Sequence, residues 1–237
     1  MSASMKPIWA SRVLAALAAC SQPASQDDAA SPEAAATSAP EAQHFTVLVG
    51  GTEIGGLDIS PSEDGFGVEF EYRNNGRGPT ISESITLDAQ GLPTSWTISG
   101  ASTFGNPIDE EFSYADSEAR WRDATGSDQA IPDGDAFYVP QDASPYWLAI
   151  AARALMGRDD MTIPALPGGE LRLAEVDTLT VSNGETSRDL IAYGLSGTSA
   201  NPTYFLMDDR AFFGLITPGF AILEAGYEAE DERLRGL

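Results

Sequence analysis

Histidine, cysteine and lysine are almost missing from this chain. Its 237 residues include one histidine, His44, one cysteine, Cys20, and one lysine, Lys6. A zinc site normally needs several His or Cys ligands, a Ser-His-Asp triad needs an imidazole, and Schiff-base chemistry needs a lysine. A single cysteine also allows no internal disulfide. The sequence therefore predicts no catalytic residue, no set of metal ligands and no cofactor in this chain.

Positive charge is scarce as well. The chain carries 13 Lys and Arg against 36 Asp and Glu, which gives a formal net charge of −23. Affinity for phosphate backbones comes from clustered Lys and Arg, so we expect no nucleic-acid partner. A polybasic attachment to anionic lipid is excluded for the same reason. No apolar run approaches the roughly 18 residues that a membrane-spanning helix needs.

The amino terminus has the order of residues that is typical of a secretory signal. Lys6 and Arg12 precede an uncharged run from Val13 to Ala19. This order predicts a signal peptide over residues 1–19. The segment Leu17-Ala18-Ala19-Cys20 resembles the lipobox of bacterial lipoproteins. The resemblance implies cleavage before Cys20 and lipid on its sulfur and new amino terminus. An ordinary signal peptide with a chance cysteine is the alternative.

Lipid on Cys20 would attach the protein to a membrane. We therefore expect an exported protein of the cell envelope. Several acyl chains on one cysteine anchor a protein firmly. The following Ser21 does not resemble the Asp that retains enterobacterial lipoproteins in the inner membrane, which favours the periplasmic face of the outer membrane. Loss of Lys6 and Arg12 with the signal would leave 11 basic residues against the 36 acidic ones.

Residues 20–43 have the composition of a tether. Between Ser21 and Gln43 there is no aromatic residue and no Val, Ile, Leu or Met. Such a segment cannot bury enough apolar surface to offset its ordering entropy, so we expect disorder. A flexible chain of this length spans on the order of 25 Å. The remaining residues, 44–237, are expected to form a single β-rich domain.

Strand signals dominate that domain. Apolar and charged residues alternate most clearly from Val68 to Arg73, and Asn75-Gly76 and Asn183-Gly184 are typical hairpin turns. Glu83 interrupts an otherwise apolar strand face, which suggests a position near an edge. Further strands are predicted on both sides of position 176, over residues 170–176 and 177–181.

Two helices are predicted among these strands. Ser144 can cap a helix that runs from Tyr146 to Met156 and ends at Gly157, and the last residues of the chain also have a helical pattern. The fold class is therefore mainly β with minor α, as a curved antiparallel sheet or partly open barrel with one central helix and a C-terminal helix. A β-sandwich is the main alternative.

One polar cluster stands out against the acidic background. Arg73, Asn75 and Arg77 lie together in the segment Arg73-Asn74-Asn75-Gly76-Arg77, and arginine forks suit carboxylates or phosphates. The cluster is either a binding site or a hairpin loop whose arginines pair with acids on a neighbouring strand, for which Asp109 and Glu110 are candidates.

Four phrases carry a resemblance to a known family. They follow one another in the order Tyr72–Pro79, Ser99–Glu110, Phe137–Pro140 and Leu166–Gly169. Together they resemble the N-terminal region that precedes the catalytic barrel in some exported bacterial amidohydrolases. The resemblance implies association with a metal-dependent hydrolase of C–N bonds, in cis or in trans.

The residues that such a hydrolase uses are missing from this sequence. The barrel of the family carries a His-x-His pair, further histidines and an aspartate, and any zinc-type metal would belong to that barrel. No catalytic residue can therefore be assigned here. We expect a non-catalytic, membrane-tethered β module, either cut away from its catalytic half or free-standing.

Two other functions stay open. An envelope carrier of lipids or other apolar ligands would place aromatic side chains around a pocket; the candidates are Trp96, Trp121, Trp147, Phe70 and Tyr72. A metal-independent enzyme would need two acids in a cleft with raised pKa values, for which Asp109-Glu110-Glu111 offers carboxylates.

The lipid anchor can be tested directly. Cys20→Ser removes the acceptor sulfur, so we expect the variant to lose labelled palmitate and to move from the membrane fraction to the soluble periplasmic fraction of a Gram-negative host. Ser21→Ala is the matched control and should keep both properties. A Cys20→Ser protein that still sediments with membranes would contradict the lipobox interpretation.

Overall fold

The computed structural model describes residues 41–236. The predicted signal peptide, Cys20 and the predicted tether up to residue 40 lie outside the described residues. Within residues 41–236 the longest helix has 10 residues, and no helix there has the length and apolar character needed to cross a membrane.

Strands make up most of the described chain and belong to one sheet. Their bounds are β1 Gln43–Val49, β2 Thr52–Pro61, β3 Gly65–Tyr72, β4 Thr80–Leu87, β5 Pro93–Ala101, β6 Pro107–Ala115, β7 Glu118–Asp123, β8 Gly126–Ala130, β9 Phe137–Tyr138, β10 Thr162–Leu166, β11 Glu170–Ser182, β12 Ser187–Ser196, β13 Thr203–Asp208, β14 Ala211–Ile216 and β15 Ala221–Glu224.

The sheet is a long meander made of two halves, β1 to β8 and β9 to β15. Within each half, strands that are consecutive in sequence are neighbours in the sheet. The halves join where β1 pairs with β15. All pairs are antiparallel except β9 with β10. The sheet is open and does not close into a barrel. The predicted mainly β class is therefore confirmed, and the sandwich alternative is wrong because there is only one sheet among the described residues.

Helix α1, Trp147–Met156, lies against the inner face of this sheet. Its residues share one apolar cluster with side chains from both halves of the meander, including Phe45 of β1, Trp96 of β5 and Leu173 of β11. A single sheet can contact one helix from so many strands only by curving around it. The helix therefore defines the inner face, and the opposite surface is called the outer face below.

The start of α1 differs from the prediction, and buried residues surround the helix. It begins one residue later than expected, after Tyr146, and the Ser144 hydroxyl does not cap it. Ser144 instead donates its backbone N–H to Glu83. The buried residues of α1 are not confined to one stripe: Leu148, Ala149, Ile150, Ala151, Ala152, Ala154 and Leu155. A helix that is apolar all round is typical of a core element.

The C-terminal segment covers part of the outer face. It contains a 3-10 turn, Glu228–Glu230, and helix α2, Asp231–Arg235. Tyr227 and Leu234 pack there with Leu48, Phe213 and Leu223 in a second apolar cluster. Helix α2 is short because the residues before it form β15 and the 3-10 turn.

The two strands predicted over residues 170–176 and 177–181 form one strand, β11, in the structure. It runs through position 176 as one strand of 13 residues. A β-bulge lies at the expected break: Glu175 pairs with Tyr193 and Asp177 pairs with Ala192, so Val176 has no partner on β12. A bulge bends its strand and shifts which residues share a face.

Gly100 provides a test of how tightly the meander is packed. It has a φ of +138°, and a Cβ there would overlap the Thr80 carbonyl oxygen on β4. We expect Gly100→Ala to lower the free energy of unfolding by roughly 3 kcal/mol, from backbone strain plus overlap.

Gly126 is the matched control for Gly100. Its φ is +144°, but a Cβ there would meet nothing within 4 Å. Gly126→Ala should therefore carry only the strain, about 1 kcal/mol. Urea denaturation of both variants measures the difference, and equal losses would contradict the close approach of β4 and β5 at Gly100.

Candidate functional site

The predicted polar cluster does not come together as one site. Arg73 pairs with Glu71 at 3.0 Å and donates to the backbone carbonyls of Tyr72 and Pro79 at 2.7 and 2.8 Å. Asn75 donates to the neighbouring Asn74 side chain. These contacts are internal to the loop between β3 and β4, so they brace the loop.

The acids proposed as partners of that loop have other partners. Arg122 of β7 binds Asp109 with two hydrogen bonds of 2.8 and 2.9 Å, and this pair lowers the pKa of Asp109. Glu110, the next residue, faces the inner side of the sheet and is 1 % exposed. Asp109 and Glu110 therefore lie on opposite faces of β6, and the structure pairs neither with Arg73 or Arg77.

Glu110 and Glu83 form a pair of buried acids on the inner face. Both are in register with Ile98, Glu83 from β4 and Glu110 from β6, so their Cα atoms lie about 10 Å apart across β5. Glu83 is 5 % exposed. It therefore lies within the sheet and not near an edge, contrary to the expectation from sequence.

Both carboxylates bind the chain that leads into α1. Glu83 accepts hydrogen bonds from the Ser144 backbone N–H at 2.6 Å and the Trp96 indole at 2.8 Å. Glu110 accepts from the Tyr138 hydroxyl at 2.7 Å, and from the backbone N–H groups of Gln141 and Asp142 at 3.0 and 2.9 Å. These acids hold the segment between β9 and α1 against the sheet, which is a structural role.

Burial changes the acidity of this cluster. It raises the pKa of Glu83 from 4.5 to about 7, against the lowering effect of the hydrogen bonds from Ser144 and Trp96, and the Glu110 charge raises it further. Burial also raises the pKa of the Tyr138 phenol, and its bond to Glu110 adds to that shift. A buried carboxylate is costly unless its oxygens are bonded, which the backbone N–H groups provide.

The aromatic residues proposed to line an inner pocket belong largely to the packed core. Trp96, Trp121 and Phe70 are buried, and Tyr72 and Trp147 are half-buried. All five contact the cluster that contains α1. The helix and the buried rings occupy the inner space, while Trp121 and Trp147 also border surface recesses of about 360 and 440 Å3.

Metal ligands are not grouped in the described part of the chain. Within residues 41–236 no three His, Cys, Asp or Glu side chains are placed to hold one ion. The exposed His44 imidazole pairs with Asp58 on the neighbouring strand β2. His44 thus has a surface partner and no place in a ligand set.

An apolar groove of about 530 Å3 lies on the outer face, beside α2. We call it the outer groove. Its apolar lining comes from β11, β12, β13, β14 and α2 and includes Val176, Leu179, Ala192, Tyr204, Leu206, Ile216 and Leu234. Val176 is 56 % exposed and Tyr204 is 52 % exposed. Such large exposed apolar side chains, gathered in one groove, indicate a binding surface.

Gly194 shapes one end of the outer groove. It pairs with Tyr204 across β12 and β13, and a Cβ at Gly194 would lie 3.2 Å from the Tyr204 ring and 3.4 Å from a Val176 methyl group. The Tyr204 ring and Val176 therefore cover the glycine, as aromatic residues often do in sheets. A glycine inside an apolar strand was the one sequence signal for this site.

Two polar side chains at the rim of the outer groove, Arg235 and Thr217, are bonded within the protein, and the Asp177 carboxylate accepts one hydrogen bond from the Thr178 backbone N–H at 2.8 Å. Arg235 donates to Asp231 at 2.7 Å and to the carbonyls of Thr217 and Leu48 at 3.1 and 3.2 Å. The Thr217 hydroxyl donates to the Phe220 carbonyl at 2.8 Å. Most of the groove therefore offers a ligand dispersion and hydrophobic contact, and Asp177 adds one negative charge to its lining.

The raised pKa of Glu83 predicts a pH dependence of stability. Because the folded protein binds this proton more tightly than the unfolded chain, the contribution of Glu83 to stability is full below pH 4.5 and is lost as the pH rises to about 7. The loss is on the order of 3 kcal/mol. We expect Glu83→Gln to remove this slope.

Urea denaturation of wild type and Glu83→Gln across this pH range is the measurement. The readout is the difference in free energy of unfolding between the two proteins, followed as a function of pH. All other acids are common to both proteins, so a change in this difference reports on Glu83. Parallel stability curves would contradict the raised pKa of Glu83.

Comparison with known proteins returned little. No family model matches the chain, and no curated protein matches it. A solved structure of a DUF1089-family protein from Pseudomonas aeruginosa is similar at 14% identity and a TM-score of 0.40, over 76% of this chain and 93% of that one. The association with an amidohydrolase inferred from the sequence thus stays a prediction.

Proposed function

We propose that this protein is a non-catalytic binding module of the cell envelope that takes an acyl chain or a similar unbranched apolar ligand in the outer groove. The observation that carries the proposal is the groove itself, whose exposed wall is built from Val176 and Tyr204 beside Ala192 and Leu206. Membrane attachment through Cys20 is the second part of the proposal and rests on the lipobox resemblance.

The dimensions and lining of the outer groove support a small ligand. Its volume of about 530 Å3 falls within the roughly 300–1,000 Å3 that is usual for ligand pockets. Such pockets are mainly apolar with few polar groups, as this one is. The groove is open along one side, so a ligand can enter it without a rearrangement of α1 or the inner core.

The state of the polar rim favours an acyl chain over a peptide. An extended peptide brings backbone N–H and C=O groups that must be paired when they leave water. At the rim, Arg235 and the Thr217 hydroxyl are engaged within the protein. A chain of methylene groups needs no such partners, and each buried CH2 contributes about 0.8 kcal/mol.

The test uses a neutral fluorescent probe with a variable tail, a dansyl alkylamide series from hexyl to dodecyl. We expect saturable binding at one site, with the dissociation constant falling about fourfold for each added CH2 until the groove is full. Ala192→Trp, which fills the middle of the groove, should abolish this gain with chain length.

Ile131→Trp is the matched control. Ile131 is 77% exposed and lies outside the groove, so the same indole there should leave the dissociation constants unchanged. Affinity that does not depend on tail length, or an equal loss in both variants, would overturn the proposal.

A further inference from the structure

Most arginines of this acidic protein are neutralised by a neighbouring acid. Among the 11 arginines within residues 41–236, eight form ion pairs: Arg73, Arg120, Arg122, Arg158, Arg172, Arg188, Arg233 and Arg235. The other three, Arg77, Arg153 and Arg210, have no acidic side chain within ion-pair distance in this part of the chain. Two of these three lie together.

The side chains of Arg153 and Arg210 each donate a hydrogen bond to the backbone carbonyl of the other residue. The Arg153 Nε donates to the Arg210 carbonyl at 2.7 Å, and an Arg210 Nη donates to the Arg153 carbonyl at 2.9 Å. The Arg153 guanidinium also lies over the rings of Phe66 and Tyr146, at 5.7 and 5.3 Å. This frame fixes two positive charges at one end of α1 without neutralising either.

The two arginines line a recess of about 280 Å3. The turn between β4 and β5, with Asp88, forms one side, and the apolar lining comes from Phe66, Leu87 and Ile150. Unlike the outer groove, this recess combines an apolar lining with fixed positive charge. It shares no residue with the outer groove.

We propose that this recess binds the anionic end of a small amphiphile, an alkyl phosphate or alkyl carboxylate. The guanidinium groups of Arg153 and Arg210 would bind the anion by charge-assisted hydrogen bonds, for which arginine is well suited. The first carbons of the alkyl chain would lie against Phe66 and Ile150. The site is independent of the ligand proposed for the outer groove.

The acid in the recess, Asp88, forms no ion pair with Arg153 or Arg210 in the part of the chain that the structure describes. Its Oδ1 atom accepts hydrogen bonds from the backbone N–H groups of Gln90 and Leu92 at 2.9 and 2.8 Å, which form the turn. A contrasting recess of about 360 Å3 on β6 and β7 is lined by Arg120 and Arg122. Both of those arginines are ion-paired, so that surface has no comparable free charge for an anion.

The experiment is calorimetric titration of the full-length protein with octyl phosphate, octanol and inorganic phosphate. We expect octyl phosphate to bind at one site. Octanol and inorganic phosphate should bind at least tenfold more weakly, because octanol lacks the anionic group and inorganic phosphate lacks the alkyl chain. Arg210→Gln should weaken octyl phosphate roughly tenfold and leave the neutral dansyl probe unaffected.

Arg77→Gln is the matched control, because Arg77 is also exposed and unpaired among residues 41–236 but lies outside the recess. It should change octyl phosphate binding by less than twofold. Equal weakening by Arg77→Gln and Arg210→Gln would overturn the proposal as general charge attraction. Inorganic phosphate or octanol binding as tightly as octyl phosphate would overturn it too, as would no saturable binding. Each of these results is separate from the outcome for the outer groove.

Discussion

Helix α1 is buried on every side, and the rest of the fold depends on enclosing it. Every residue from Leu148 to Leu155 except Arg153 is buried, so the helix has to be covered from several directions at once. One curved sheet provides that cover, and β1 and β15 join its two halves. The buried acids Glu83 and Glu110 then fix the segment that enters the helix. Their cost in desolvation is offset by the hydrogen bonds that their oxygens accept, which include those from backbone N–H groups of this segment.

This enclosure decides where a ligand can bind. The inner face is occupied by α1 and by rings such as Trp96, so the binding surface has to be at the outer face or at an open end of the curved sheet. The C-terminal segment covers one part of the outer face through Tyr227 and Leu234, and the outer groove lies beside it. At the end near Arg153 the sheet leaves a smaller, positively charged recess. The outer groove and the recess beside Arg153 therefore both result from the way the sheet encloses α1.

The regular parts of this fold could be predicted from sequence, while its exceptions depend on contacts between distant residues. Alternation over Val68 to Tyr72 reports directly which side chains face the core. In β11, Leu173 and Val181 are an even number of residues apart, so a regular strand would place them on the same face. The bulge at Val176 reverses the faces, and Leu173 packs with α1 while Val181 packs in the outer cluster. Glu83 was visible as an interruption, but its partner Ser144 is 61 residues away. The outer groove is built from five separate elements, and no local pattern reports their meeting.

Paramagnetic NMR tests the central claim, that the ligand lies on the outer face while α1 fills the inner one. A neutral alkyl probe that carries a nitroxide at the end of its tail is added to the isotopically labelled domain, and the loss of backbone amide signals is mapped. The account predicts loss at Val176, Ala192 and Tyr204, with Ala149 and Ala151 of α1 preserved. Selective loss at the α1 amides, with the groove signals intact, would contradict it.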